Sequence, residues 1–236
     1  MDGVTPERLF IVGDIHGCLA ELEALLAGLP LQPGDGLVFL GDYVDRGPDS
    51  RGVIERLLAL AASSTIPTVF LRGNHEDMLL AFLGRGGHYG EAFLANGGDA
   101  TARSYGLRGG VTPDRLQAAL PREHLRFLEE TRLVHTAGDY VMVHAGIVPG
   151  RPLEQQSAHD LVWIRDEFIA RPHGLGRTVV FGHTPCREVL VHLPYKIGID
   201  TGCVYGGMLT ALEVPSRTVH AVRRGAATVE HRALAA

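Results

Sequence analysis

Apolar residues along this chain gather into short β-branched runs that alternate with stripes of helical spacing. Leu9–Val12, Leu37–Leu40 and Thr68–Leu71 are continuous runs of strand length. Between the first two, Leu19, Leu22, Leu25, Leu26 and Leu29 predict a helix over Cys18–Leu29, which Pro30 ends. Val53, Ile54, Leu57, Leu58 and Leu60 predict another over Arg51–Ala62. Strands recurring about every 30 residues with a helix between them read as βαβ units, hence parallel pairing. Further on, Asp77–Leu83, Glu91–Ala95, Pro113–Leu120 and Glu123–Glu130 read as helices joined by glycine-rich connections, Gly84-Arg85-Gly86-Gly87 and Asn96-Gly97-Gly98-Asp99. From Tyr140 the pattern turns to strands: Tyr140–His144, Thr178–Phe181, Glu188–His192, Lys196–Ile199, Met208–Val214 and Thr218–Arg223. One helix, Asp160–Ala170, interrupts them, and Gly206-Gly207 and Pro215-Ser216 read as turns between antiparallel strands. A mixed α/β opening followed by a strand-rich end fits two packed mixed sheets with helices outside, not a Rossmann fold. The expectation is one domain over 1–236, with 84–130 a helical cap or insertion beside the site.

Five of the strand runs end in the same way. Each meets glycine or histidine with a metal-capable residue beside it: Gly13-Asp14-Ile15-His16-Gly17, Gly41-Asp42-Tyr43-Val44-Asp45-Arg46-Gly47, Gly73-Asn74-His75-Glu76, His144-Ala145-Gly146 and Gly182-His183-Thr184. Loops at the carboxyl ends of neighbouring strands are where α/β sites assemble. Asp14 and His16, two apart, project to one side of an extended stretch, and Asp42 is a short carboxylate able to bridge two ions. Carboxylate, imidazole and carboxamide donors without thiolate suit Mn, Fe, Zn, Ni or Co, whereas Mg and Ca prefer all-oxygen sites.

Composition narrows the class. At 236 residues, with 45% hydrophobic and 21% charged residues, the chain can bury a full core and is not of disordered composition. A formal net charge of −5 argues against a broad nucleic-acid or anionic-membrane surface, though not against a local phosphate pocket. Met1–Arg8 lacks a basic stretch leading into an apolar core, and no run is long enough to span a bilayer, so a cytoplasmic enzyme is expected. Cys18, Cys186 and Cys203 are an odd count without CxxC spacing, which suggests neither a disulfide framework nor a thiolate zinc site, and they read as small buried residues ahead of a redox role. No GxxxxGK[ST] pattern accompanies the glycines, which read as plain loops.

The first three loop sequences resemble the signature segments of the phosphoprotein phosphatase family, within the calcineurin-like metallophosphoesterases. His144-Ala145-Gly146 and Gly182-His183-Thr184 are similar to that family's later histidine motifs. Trp163-Ile164-Arg165 and Ile199-Asp200-Thr201-Gly202 resemble its compact bacterial and bacteriophage-lambda-type branch, and the resemblance runs from about residue 9 to 214. It implies a metallophosphoesterase-type β-sandwich holding two divalent ions, Mn²⁺ first, with Fe or Zn²⁺ as alternatives. Asp14 and His16 would bind the first ion, Asp42 would bridge, and Asn74, His144 and His183 would bind the second. His75 would be the general acid, oriented by Asp45, while Arg46, Arg72 and Arg165 would grip the phosphate. The implied reaction is attack by a metal-bridging hydroxide on phosphoserine or phosphothreonine in a protein or peptide, with phosphotyrosine a further substrate.

Plainer readings stand beside these. Asp14 can be a turn residue, Asp45 and Arg46 an ion pair, and Asn74 a helix cap. His144 and His183 can be hydrogen-bonded core histidines, and Arg72 and Arg165 can support neighbouring carboxylates. Trp163 reads as packing, and Asp200-Thr201-Gly202 as a brace for the His183 loop. The eight histidines outside the motifs read as non-catalytic. The competing activity is hydrolysis of dinucleoside tetraphosphates or other nucleotides, from which Asp45-Arg46 and Glu76 lean away. A metal-free scaffold is the third reading, and the full ligand set opposes it. Neither nucleic acid nor membrane is an expected partner.

Overall fold

The computed structural model describes residues 6–234, so the first five residues of the stretch read for a leader lie outside the described residues. The βαβ expectation holds. β1 (Leu9–Val12), α1 (Leu19–Gly28), β2 (Gly36–Phe39), α2 (Ser50–Ser63) and β3 (Thr68–Phe70) follow in order, and the three strands pair in parallel. α3 (Asn74–Phe82), α4 (Gly98–Ser104), α5 (Pro113–Ala119) and α6 (Arg122–Glu129) come next. The second sheet begins with β4 (Val134–Ala137) and β5 (Tyr140–Val143), and α7 (Ala158–Trp163) and α8 (Asp166–Ala170) precede β6 (Thr178–Phe181). β7 (Leu190–His192) and β8 (Lys196–Gly198) complete that sheet, while β9 (Met208–Val214), β10 (Thr218–Arg223) and β11 (Val229–Ala233) return to the first.

The sheet orders are β11-β10-β9-β1-β2-β3 and β4-β5-β6-β8-β7, both mixed. Alternation along β1 shows how they are layered. Leu9 and Ile11 face Met142, Val180 and Ile197 in the core between the sheets. Phe10 and Val12 face the other way, onto Leu22, Leu25, Val53 and Ile54 of α1 and α2. Val141, Val143, Val179 and Phe181 turn their far side to Leu161 and Phe168 of α7 and α8. Four layers result, helices–sheet–sheet–helices, and the helical segment 84–130 joins the first helical layer through Phe93, Tyr105, Leu116 and Phe127. Among the described residues no helix is long and apolar enough to cross a membrane.

Several expectations are corrected. Asp160–Ala170 is two helices broken at Ile164 and Arg165, because Arg165 leaves helical geometry at φ −131, ψ −100. Glu91–Ala95 is two 3₁₀ turns, not an α-helix. Gly206-Gly207 turns the chain across a single antiparallel bridge, Thr201 to Met208, and not between two paired strands, since β8 and β9 on either side lie in different sheets. β4, β11 and α4 were not expected. The two strands are polar edge strands with little apolar alternation, and α4 contains glycine, aspartate and threonine, which are weak helix formers.

Candidate metal and phosphate site

All five strand-end loops meet at one edge of the sandwich. The Gly13–Gly17 and Gly41–Gly47 loops are zipped together by Ile15 and His16 N–H groups donating to the Asp42 carbonyl (3.0 and 2.7 Å) and by Gly17 N–H donating to Tyr43 (2.9 Å). The second sheet is tied in by His183 N–H, which donates to the Asp14 carboxylate (3.1 Å), and by His144 Nδ1–H, which donates to the Leu40 carbonyl (3.0 Å). Gly73 and Gly182 have a steric reason: a Cβ at either would strike Oδ1 of Asp42 or of Asp14. His16, Asp42, Asp45, Arg46 and His183 all have left-handed backbone, with φ between 47° and 72°. Such conformations cost on the order of 1–3 kcal/mol each and persist where surroundings over-determine them. Of the described residues, only Tyr89 and Arg217 are otherwise non-glycine with positive φ.

Asp42 is the centre. Its Oδ2 lies 3.3 Å from His16 Nε2 and its Oδ1 3.4 Å from His144 Nε2, one oxygen toward each half of the cluster. His144 Nε2 also lies 3.1 Å from Asn74 Oδ1, and His183 Nδ1 lies 2.8 Å from that same oxygen. With His144 Nδ1–H committed to Leu40, its Nε2 carries a lone pair that faces two oxygen lone pairs. Burial keeps these rings neutral: His16 is pushed down to about 3, His183 to about 2, and His144 below the ordinary histidine value. Burial, with Asp200 and Asp42 nearby, drives the Asp14 carboxyl well upward, and Asp200 is pushed up to about 6. Converging lone pairs and mutually repelling buried carboxylates are what a divalent cation would satisfy, and all are nitrogen or oxygen donors. On the other side, Arg46 Nη1–H donates to His16 Nε2 at 2.6 Å, setting a positive charge against that lone pair. The donor set fits the metal ions of the resemblance. Asp42 groups with His144 and His183, and with His16 and His75.

His75 behaves differently. Its Nδ1–H donates to Asp45 Oδ2 at 2.6 Å, while its buried Nε2 has no partner. Burial would lower its pKa, but Asp42 and the Asp45 hydrogen bond outweigh that and raise it. The ring stands edge-on to His16, centroids 4.6 Å apart. Asp45 is fixed in turn by Thr101, whose hydroxyl donates to Oδ1 at 2.6 Å.

The arginines divide. Arg46 is seated by its N–H donating to the Gly97 carbonyl (3.1 Å), with its guanidinium 5.5 Å from the centroid of the exposed Tyr205 ring. Arg165 is exposed, and its charge helps depress His144 and His183. Arg72 is not brought to the cluster: Nη2 donates to the Glu129 carbonyl (2.9 Å) and Nε to Thr131 Oγ1 (3.1 Å), bracing the end of α6. Trp163 stands edge-on to His183 at 6.3 Å and donates through Nε1 to Asp77 at 3.2 Å. The Asp200 carbonyl accepts from Cys186 N–H (3.0 Å), bracing the His183 loop as expected.

Sequence reasoning missed two supports. Glu76, third residue of α3, accepts N–H bonds from Asp42, Tyr43 and Val44 (2.8, 2.8 and 3.2 Å) and from Gly73 (2.9 Å). One carboxylate thus ties two ligand loops together, even though burial and Asp42 push it up to about 7. Its place at the third helical position was a readable signal, since a glutamate there caps its own helix start. Thr101 had no signal in the sequence.

A family description, calcineurin-like phosphoesterase, matches residues 7–218. Serine/threonine-protein phosphatase 1 of Salmonella typhimurium is 34% identical over 88% of this chain and 92% of its own length. The asymmetrical bis(5'-nucleosyl)-tetraphosphatase PrpE of Geobacillus thermodenitrificans is 32% identical over 90% and 92%. A crystal structure of a protein provisionally described as a diadenosine tetraphosphatase superposes with a TM-score of 0.71 at 29% identity, covering 94% of this chain and 96% of that one. A cold-active protein tyrosine phosphatase shares the fold at a TM-score of 0.68 and 18% identity, covering 97% and 79%. With two mixed sheets, helices on both outer faces and His/Asp loops at one edge, the chain belongs to the calcineurin-like phosphoesterase family.

Proposed function

We propose that this phosphoesterase is a metal-dependent phosphomonoesterase that hydrolyses phosphoserine and phosphothreonine in proteins, with phosphotyrosine as a further substrate. The observation that carries the reading is the His75–Asp45 pair, with Nε2 unpartnered in a buried site. A serine alkoxide is the base of an acid about as weak as water, near 15.7, so it leaves only if protonated. A nucleotide phosphate, with a second pKa of about 6, leaves without such help. A dedicated, doubly supported acid therefore favours the monoester of an alcohol.

In this reading Asp14, His16 and Asp42 would hold one divalent ion, and Asp42, Asn74, His144 and His183 would hold the other. When bound, the pair supplies Lewis acidity and a nucleophile at neutral pH. Arg46 and Arg165 receive the phosphate oxygens, where guanidinium forks match them geometrically, and Arg72 is left to brace α6. His75, held by Asp45 through Nδ1, gives its Nε2 proton to the departing oxygen. Mn²⁺ is the proposed ion, and a phosphorylated protein in the cytoplasm the proposed partner.

One observation favours dinucleoside tetraphosphate hydrolysis instead. Exposed rings stand at the rim, Tyr205 beside Arg46 and Tyr89 against Trp163 at 4.9 Å, where a nucleobase could stack. The relatives carry both names. A side-by-side assay with Mn²⁺ on a phosphoserine peptide, p-nitrophenyl phosphate and diadenosine tetraphosphate separates them. The highest kcat/KM is expected on the phosphopeptide or p-nitrophenyl phosphate, and preference for the tetraphosphate would overturn the proposal.

A further inference from the structure

Cys18 and Cys203 stand far apart in the chain and together in space. Cys18 is the residue that opens α1, two positions after His16, and Cys203 begins the 3₁₀ turn Cys203–Tyr205. Both thiols are free and closed from solvent, and their sulfurs and a Glu21 carboxylate oxygen all lie within 4.8 Å of one another. Two soft donors and a carboxylate could suggest a metal. Glu21 argues otherwise, because both its oxygens are already engaged. Oε2 is ion-paired with Arg224 Nη1, and Oε1 accepts from Gly225 N–H at 2.8 Å. A cation there would have to displace or repel a guanidinium. The two sulfurs are left to each other.

We propose that Cys18 and Cys203 form a reversible disulfide that regulates the phosphoesterase site. With hydrogen peroxide as oxidant, one thiol gives a sulfenic acid and a water. The other sulfur then displaces hydroxide from it, and its proton leaves with that hydroxide as a second water. Two electrons pass from the sulfur pair to the peroxide oxygens, and a dithiol returns them by exchange.

The bond has consequences because of what each sulfur is attached to. A disulfide holds its sulfurs at about 2.05 Å, so closing it draws the start of α1 and the Cys203–Tyr205 turn toward each other. The first segment carries His16, and the second carries Tyr205, whose ring lies beside the Arg46 guanidinium that meets His16. A shift of about 1 Å in such groups costs on the order of a hundredfold in rate. This consequence rests on the metal-site reading given above; the covalent bond does not. Cys186 lies outside the cluster, half-buried, with its thiol toward the Thr184 carbonyl.

The test treats the Mn²⁺-loaded chain with hydrogen peroxide, alkylates the remaining thiols and maps the peptides. Turnover of p-nitrophenyl phosphate is followed before and after dithiothreitol, with Mn²⁺ resupplied throughout. A linked Cys18–Cys203 peptide is expected, with Cys186 still alkylated. kcat should fall roughly tenfold or more and recover on reduction. Cys203→Ala should form no link and keep kcat within about twofold after peroxide, since a buried cysteine behaves as a small apolar residue. Cys18→Ala gives the same reading from the other partner should the first variant fold poorly. Finding Cys18 and Cys203 both alkylated after peroxide, whether or not activity has fallen, or a linked peptide with unchanged kcat, would overturn the proposal. Because p-nitrophenyl phosphate reports any phosphomonoesterase activity, a wrong physiological substrate would leave this test intact, and the peptide map needs no activity.

Discussion

Replacing His75 with asparagine is expected to lower kcat on a phosphoserine peptide by about 10²–10⁴-fold, the span typical of losing one positioned acid, while both metal ions stay bound. The retention follows from geometry. His75 Nδ1–H is committed to Asp45, and its Nε2 reaches none of Asn74, His144 or His183 within hydrogen-bonding distance. His75 does share a cluster with His16 and Asp42, so metal analysis is the decisive control. Two ions per chain with a depressed kcat fits an acid. Loss of an ion from His75→Asn would make His75 a ligand and remove the basis for the proposed chemistry.

Asp42→Asn is expected to empty both halves of the site together. Each carboxylate oxygen faces a different histidine, His16 on one side and His144 on the other, and Oδ1 also accepts the His75 N–H at 3.0 Å. The amide removes one charge and puts an N–H₂ where one of those oxygens was. Losing an outer-shell partner alone costs about 10–100-fold in metal affinity, so a shared ligand should cost each ion at least that. Titration with Mn²⁺ should show both sites weakened in parallel and activity restored only at high metal. If one ion stays at parental affinity, Asp42 serves a single metal.

How much of this was readable beforehand depends on where the information sat. β1, β2 and β6 announced themselves because buried strands are nearly continuous apolar runs, the half-buried edge strand β3 carried a shorter run of the same kind, and the βαβ spacing then fixed the order of the first three. Edge strands β4 and β11 gave no such signal: Val229–Ala233 reads V-E-H-R-A, with four of its five residues exposed. The metal-capable residues were legible because each stands just past a strand end with a glycine close by, and the structure gathers Asp14, His16, Asp42, Asn74, His144 and His183 at one edge. What supports them was less so. Glu76 bridges to residues more than thirty positions away, and Thr101 reaches Asp45 across 56 positions. Neither separation leaves a local pattern. Arg72 shows the converse: its place next to Gly73-Asn74-His75 suggested a phosphate ligand, yet the side chain turns to the end of α6. Backbone position is written in the motif, but where a long flexible side chain goes is decided by the helix it meets.

The central claim, that His75 protonates a poorly leaving alcohol, is tested most directly by comparing leaving groups in one variant. kcat/KM of His75→Asn, divided by the parental value, should be measured with Mn²⁺ on a phosphoserine peptide and on p-nitrophenyl phosphate. The expected result is a loss of about 10²–10⁴-fold on the peptide and a far smaller one on the nitrophenyl ester, whose phenolate departs without a proton. Equal losses on the two substrates would contradict it.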